Sequence, residues 1–232
     1  MAGGNARPSS TEAINILLSL TDSETKSLLQ VIERDLSHYA DKYDERKYPR
    51  EQLERLREVF STPKSVLESD IRDALVWKYG HTGKPNYPRQ HHELATQIAK
   101  KWSAKPMLPT DAPQSTFQDW LSFKPTSFIT ICFLLHLVYR DLPILDQHNY
   151  RSVNLHLASI RHGHVGKVKP SQFDDLLLVR DFMNAVLGAW KLYGSTKMPT
   201  EDKDKLDRYL MMHGKARKSR RRAVGHHEGK KT

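Results

Sequence analysis

KPTSFITICFLLHLVYRDLPILDQHNYRSVNLH, residues 124–156, joins one strongly apolar segment to one crowded with polar groups across a short break. Ten of the fourteen residues from Ser127 to Arg140 are apolar. The run is too short to span a bilayer and reads as a helix buried in the middle of a domain, with other elements packed around it. Pro143 ends the run, and Asp146 then stands at the N-cap of a second helix, Gln147 to Ser159. On that helix His148 and Arg151 are three residues apart, which gathers Asp146, His148 and Arg151 at one helix end.

The flanking sequence is helical on both sides. Residues 1–10 read as disordered, and a helical pattern begins at Thr11. Between Asp22 and Tyr39, Leu28, Leu29, Ile32 and Leu36 form an apolar stripe at helical spacing, entered through a Thr21/Glu24 capping box. Arg50 to Phe60 reads as a helix with Leu53, Leu56 and Phe60 inward. Thr62-Pro63 marks the start of another, running to about Tyr79 and stopped by Gly80. HTGKPNYPRQHHE, residues 81–93, follows as the most loop-like stretch of the folded region. Short helices are expected from Glu93 to Trp102 and from Gln114 to Leu121, separated by the proline-rich connector SAKPMLPTDAP. After His156 come a glycine-containing loop, a long apolar helix from Ser171 to Tyr193 ended by Gly194, and a last helix from Thr200 to His213 ended by Gly214. No β alternation and no internal repeat is visible, so the expected fold is all-α, with eight to ten helices.

Composition narrows the class. With 232 residues, 38% of them hydrophobic and 28% charged, the chain can bury a substantial core as one domain or two small lobes. The start, MAGGNARPSSTEA, has no apolar core of a secretory leader before Ile14, and the single cysteine, Cys132, sits within the apolar run as a small core residue. Both features favour the reducing cytoplasm. The net charge of +10 is concentrated at one end: residues 215–232 hold eight Lys or Arg and one Glu, whereas the first 214 residues hold 29 positive and 26 negative side chains. KARKSRRR thus reads as a disordered basic arm able to grip phosphates, or as a solubilising tail.

The buried helix, the proline-bearing break and Leu145-Asp146-x-His148-x-x-Arg151 together resemble the helix-hairpin-helix DNA glycosylase superfamily. There a hydrophobic helix follows a hairpin and leads to a Val-Asp-x-His-x-x-Arg-like segment carrying the catalytic aspartate. The resemblance implies a two-lobed helical fold, with a glycosylase-like domain over residues 11–214 and its hairpin and catalytic segment at 121–159. It assigns the aspartate's role to Asp146. The family hairpin usually reads Leu-Pro-Gly-Val-Gly; here Phe123-Lys124-Pro125-Thr126-Ser127 contains no glycine. Phosphate contact then falls to Lys124 and to a helix N-terminus bearing Thr126 and Ser127, with His148 and Arg151 organising the aspartate's helix end and the DNA backbone.

The chemistry fits a carboxylate. Breaking an N-glycosidic bond builds positive charge on the sugar, which a fixed carboxylate stabilises while it orients water. Reaching that bond requires everting the nucleotide into a base pocket. Trp77, Tyr79, Asn86 and Tyr87 could supply its aromatic wall and an edge-reading amide, although a Trp or Tyr at a helix end is more often a packing residue. By the same measure, an aspartate just ahead of a helix is commonly an N-cap and nothing more. Lys124 lies on the hairpin rather than at the start of the buried helix, where the family's Schiff-base lysine falls, so a monofunctional enzyme leaving an abasic site is expected.

No cofactor and no metal are expected. The family's four-cysteine cluster cannot form with one cysteine, and neither HExxH nor a Walker A loop nor a dinucleotide fingerprint is present. The many histidines, His81, His91 and His92 among them, read as surface or loop residues. The expected partner is DNA, met by a monomer away from any membrane. Repair of a damaged base and defence against phage DNA carrying modified bases are both compatible with the motif. Two competitors remain: Arg151-x4-His156 resembles the HEPN ribonuclease motif of another all-α fold, and the hairpin with the basic arm would suffice for a noncatalytic DNA-binding protein.

Overall fold

The computed structural model describes residues 10–84, 87–123, 126–160, 169–194 and 202–225, without the side chains of 202 and 217–225. Among these residues there are ten α-helices and no strand. In chain order they are α1 (Ser10–Leu18), α2 (Asp22–Ala40), α3 (Arg50–Phe60), α4 (Glu68–Lys78), α5 (Arg89–Ala104), α6 (Pro113–Leu121), α7 (Phe128–Val138), α8 (Gln147–Ile160), α9 (Phe173–Tyr193) and α10 (Asp202–Gly225). The chain divides into two compact units, residues 1–43 with 145–232, and residues 44–144. No helix among the described residues is long and apolar enough to cross a membrane.

The unit of residues 44–144 is built on α7, where nine of eleven residues are buried, Thr130 to Val138 without a break. A helix hydrophobic all round must be surrounded, and α3, α4 and α6 all pack against it. Two tryptophans extend this core while satisfying their indole N–H groups: Trp77 Nε1 donates to the Pro49 carbonyl at 2.9 Å and Trp102 Nε1 to that of Pro63 at 2.8 Å. Cys132 is a fully buried core residue of α7.

In the other unit α10 packs on α8 and α2, and α1 on α9. The α2 stripe Leu28, Leu29, Ile32 and Leu36 is buried as its spacing requires, and the Thr21/Glu24 capping box forms in both directions. A buried carboxylate ties three helices together. Asp175 Oδ1 accepts from Tyr150 Oη of α8 at 2.7 Å and from Ser10 Oγ of α1, while its Oδ2 accepts the Ser171 and Gln172 amides ahead of α9.

Three boundaries differ from the sequence reading by about four residues or more. Pro63–Ser65 forms only a single 3-10 turn; Val66 is extended, and Asp70 accepts from the Leu67 amide, so α4 starts afresh at Glu68. Helix α5 begins at Arg89 rather than Glu93, directly after Pro88, so the last five residues of the expected loop are helical. The last helix does not stop at Gly214 but continues to Gly225. That glycine serves close approach instead of termination, since a Cβ placed on it would collide with the backbone of His148 in α8.

Candidate functional site

Asp146 is the N-cap of α8, held by a reciprocal pair of contacts. Its Oδ1 accepts the amides of His148 at 2.5 Å and Asn149 at 2.9 Å, and its own amide donates to Asn149 Oδ1 at 2.9 Å. Its other oxygen, Oδ2, makes no hydrogen bond and Asp146 makes no ion pair among the described residues. The carboxylate is therefore oriented by one oxygen and presents the other, beside the positive end of the α8 dipole. Asp146 is the second residue of the segment 145–232, with which the chain returns to the unit begun by residues 1–43.

His148 and Arg151 do meet at this helix end. Arg151 Nη1 lies 3.3 Å from His148 Nδ1 and donates to the Gly214 carbonyl at 3.2 Å. The guanidinium thus bridges α8 to α10, a partnership between residues 63 positions apart that sequence spacing does not reveal.

A helix-turn-helix pair precedes the break: α6 and α7 pack together, joined by residues 122–127. Lys124 and Pro125 lie outside the described residues. Thr126 is buried, and both its amide (3.1 Å) and its hydroxyl (2.8 Å) donate to the Phe123 carbonyl. Ser127 is exposed and caps α7 by accepting the Thr130 amide at 3.2 Å. At the far end of α7, buried His136 uses both ring nitrogens: Nε2 accepts from Arg57 at 2.9 and 3.2 Å, and Nδ1 donates to the Leu142 carbonyl at 2.7 Å. That pattern fixes the neutral Nδ1–H tautomer and pins the backbone just ahead of Pro143.

Of the proposed base-pocket residues, Asn86 lies outside the described residues. Trp77 is 3% exposed, stacked on Phe133 with centroids 5.4 Å apart, and belongs to the core. Tyr79 and Tyr87 are brought together, with two histidines between them. Tyr79 stacks on His91 at 4.4 Å, while His81 and Tyr87 lie 5.6 and 5.2 Å from that same imidazole. Inside the cluster His81 Nδ1, Tyr87 Oη and His91 Nδ1 are buried without a hydrogen-bond partner, each at a cost of about 1–3 kcal/mol. Burial pushes the Tyr87 phenol well above its ordinary range, Tyr79 adding to the shift and Arg72 opposing it. Burial also lowers the His91 imidazole, helped by His81 and His92. His81, in the loop after α4, and His91, in α5, are therefore half-buried, each with its Nδ1 shut off from solvent. The sole hint in the sequence is their spacing around Tyr87, which acquires meaning once α5 starts at Arg89.

Arg151 and His156 have separate surroundings. His156 is 4% exposed, bonded through Nε2 to Tyr209 Oη at 3.0 Å and stacked on Phe182, Tyr209 and His213. It edges a groove of about 350 Å³ lined also by α2. Five positions apart on a helix, the two side chains point in different directions. No group of three or more His, Cys, Asp or Glu suited to a metal occurs among the described residues. Compared with models of known protein families, with curated proteins and with solved structures, the chain matches none.

Proposed function

We propose that this chain is a DNA glycosylase of the helix-hairpin-helix type that hydrolyses the N-glycosidic bond of a damaged or modified base. The observation that carries the reading is the anchoring of Asp146: two amides hold Oδ1, and Oδ2 has no partner among the described residues. The α6–turn–α7 pair upstream and the division of the chain into two helical units support it. In the proposed step the bond from C1′ to the base nitrogen breaks and water forms the new bond to C1′. The base departs with its bonding electrons and is protonated, leaving an abasic site. Asp146 stabilises the positive charge that develops on the sugar and orients the water.

The test uses duplexes carrying damaged or naturally modified bases, incubated with wild-type protein and Asp146→Asn and then treated with alkali. Asparagine caps a helix as well as aspartate does, so the variant isolates the charge from the fold. Strand breaks that need alkali, arise on only some bases and vanish in Asp146→Asn are the expected result. Breaks that persist in the variant would remove Asp146 from the chemistry. RNA cleavage lost on His156→Ala would turn the assignment to a ribonuclease.

A further inference from the structure

Among the described residues, every buried side-chain nitrogen or oxygen without a hydrogen-bond partner belongs to one cluster: His81 Nδ1, Tyr87 Oη and His91 Nδ1. Elsewhere the fold satisfies such atoms, including the buried hydroxyls and imidazoles of Ser152, His156, Tyr209 and His213. Orphans concentrated in one place call for a partner that the chain itself does not supply. Three chemistries could fill the need, and the surroundings separate them. A metal would find no suitably placed set of three His, Cys, Asp or Glu among the described residues: His81, His91 and the exposed His92 stand around a phenol held in its protonated form. An inorganic anion would find no uncommitted cation beside the cluster, since Arg72, whose charge reaches Tyr87, is paired with Glu68 and Arg89 with Glu93, while Lys84 is exposed. An uncharged planar heterocycle would find ring faces to stack on and neutral groups able to donate or accept along its edge.

We propose that Tyr79, His81, Tyr87 and His91 form a binding site for a planar nitrogen heterocycle of the purine or pyrimidine class. Binding exchanges ring-to-ring contacts for ring-to-base contacts of the same kind and supplies the three missing hydrogen bonds. The Tyr79 hydroxyl, already bonded to Thr130 Oγ1 at 2.9 Å, holds its ring in place as the stacking wall. The inference does not rest on the role of Asp146, which belongs to the other unit.

Titration of the full chain with adenosine, guanosine, cytidine and uridine, read by calorimetry and by the histidine ring resonances, tests this. Saturable binding of at least one nucleoside is expected, weakened at least tenfold by Tyr87→Phe and by His91→Phe, both of which keep a ring in place. Asp146→Asn should bind as wild type does, so that this inference and the catalytic assignment fail separately. A short single-stranded oligonucleotide of the favoured base distinguishes the source: tighter binding than the nucleoside means a base presented by a strand, and equal or weaker binding means a free nucleoside. No saturable binding of any nucleoside below millimolar concentration, or unchanged affinity in both variants, overturns the proposal. Saturation of the same histidines by zinc or by inorganic phosphate would overturn it too, by giving the orphan atoms to an ion.

Discussion

Gly214 of α10 lies against His148 of α8 so closely that a Cβ built on it would stand 2.7 Å from the His148 carbonyl carbon and 3.2 Å from its Cα. The two helices cross on bare backbone at this point, and Arg151 reaches over to the Gly214 carbonyl.

Two effects of opposite sign therefore compete at Gly214. Alanine is the better helix former by about 0.5–1 kcal/mol, whereas overpacking typically costs about 1–3 kcal/mol. The obstacle here is backbone, which yields less readily than a side chain, so Gly214→Ala should destabilise by about 2 kcal/mol in urea unfolding. A gain in stability would show that α8 and α10 do not approach as described.

Removing the N-cap should separate fold from function at Asp146. Asp146→Ala should lose about 1 kcal/mol and Asp146→Asn only a few tenths, as thermal melting would report. A loss above about 2 kcal/mol in the asparagine variant would indicate that the charge itself is structural.

His136 makes a definite prediction because both its nitrogens are committed. His136→Leu keeps the volume but leaves the Leu142 carbonyl and part of Arg57 unpartnered, a cost of about 2 kcal/mol by denaturant unfolding at constant m. An effect below about 0.5 kcal/mol would mean that water replaces the imidazole.

The ring cluster links stability to pH at both ends of the scale. His91 is lowered when folded, so its contribution is present above the unfolded value of about 6.5 and is lost as pH falls through the folded value. Tyr87 is raised, so its contribution is present below about 10 and is lost as pH climbs through the folded value. Melting temperatures measured across the range should fall less on the acid side in His91→Phe and less on the alkaline side in Tyr87→Phe. Near neutral pH, Tyr87→Phe should leave the free protein as stable as wild type or more so, since it deletes an unpartnered hydroxyl. A clear loss of stability there would place a bound water on that oxygen.

The carboxy-terminal part of α10 carries Arg220, Arg221 and Arg222 before Gly225. If these arginines neutralise phosphates, replacing all three by alanine should weaken nonspecific duplex binding and flatten the plot of log affinity against log salt by about 3 units. An unchanged slope would make the segment a solubilising extension.

Sequence alone determined what is local. The Thr21/Glu24 box, the Ser127 cap of α7, the Asp146 cap of α8 and the left-handed Gly80 after α4 all involve residues within one helical turn of each other. A helix buried on all sides also announces itself in composition, as Thr130 to Val138 do. Tertiary structure decided the rest, because those outcomes depend on what lies opposite in space. Gly214 and Gly80 look equally like stop signals, yet only Gly80 has the positive φ of one, at 66°; Gly214 has a neighbouring backbone where a side chain would go. His81 and His91 look like polar loop residues until α4 and α5 fold their turn inward, and Arg151 finds its carbonyl partner 63 residues away. Helix formation is governed by near neighbours along the chain, whereas a polar group's status is set by every atom around it, near or distant in sequence.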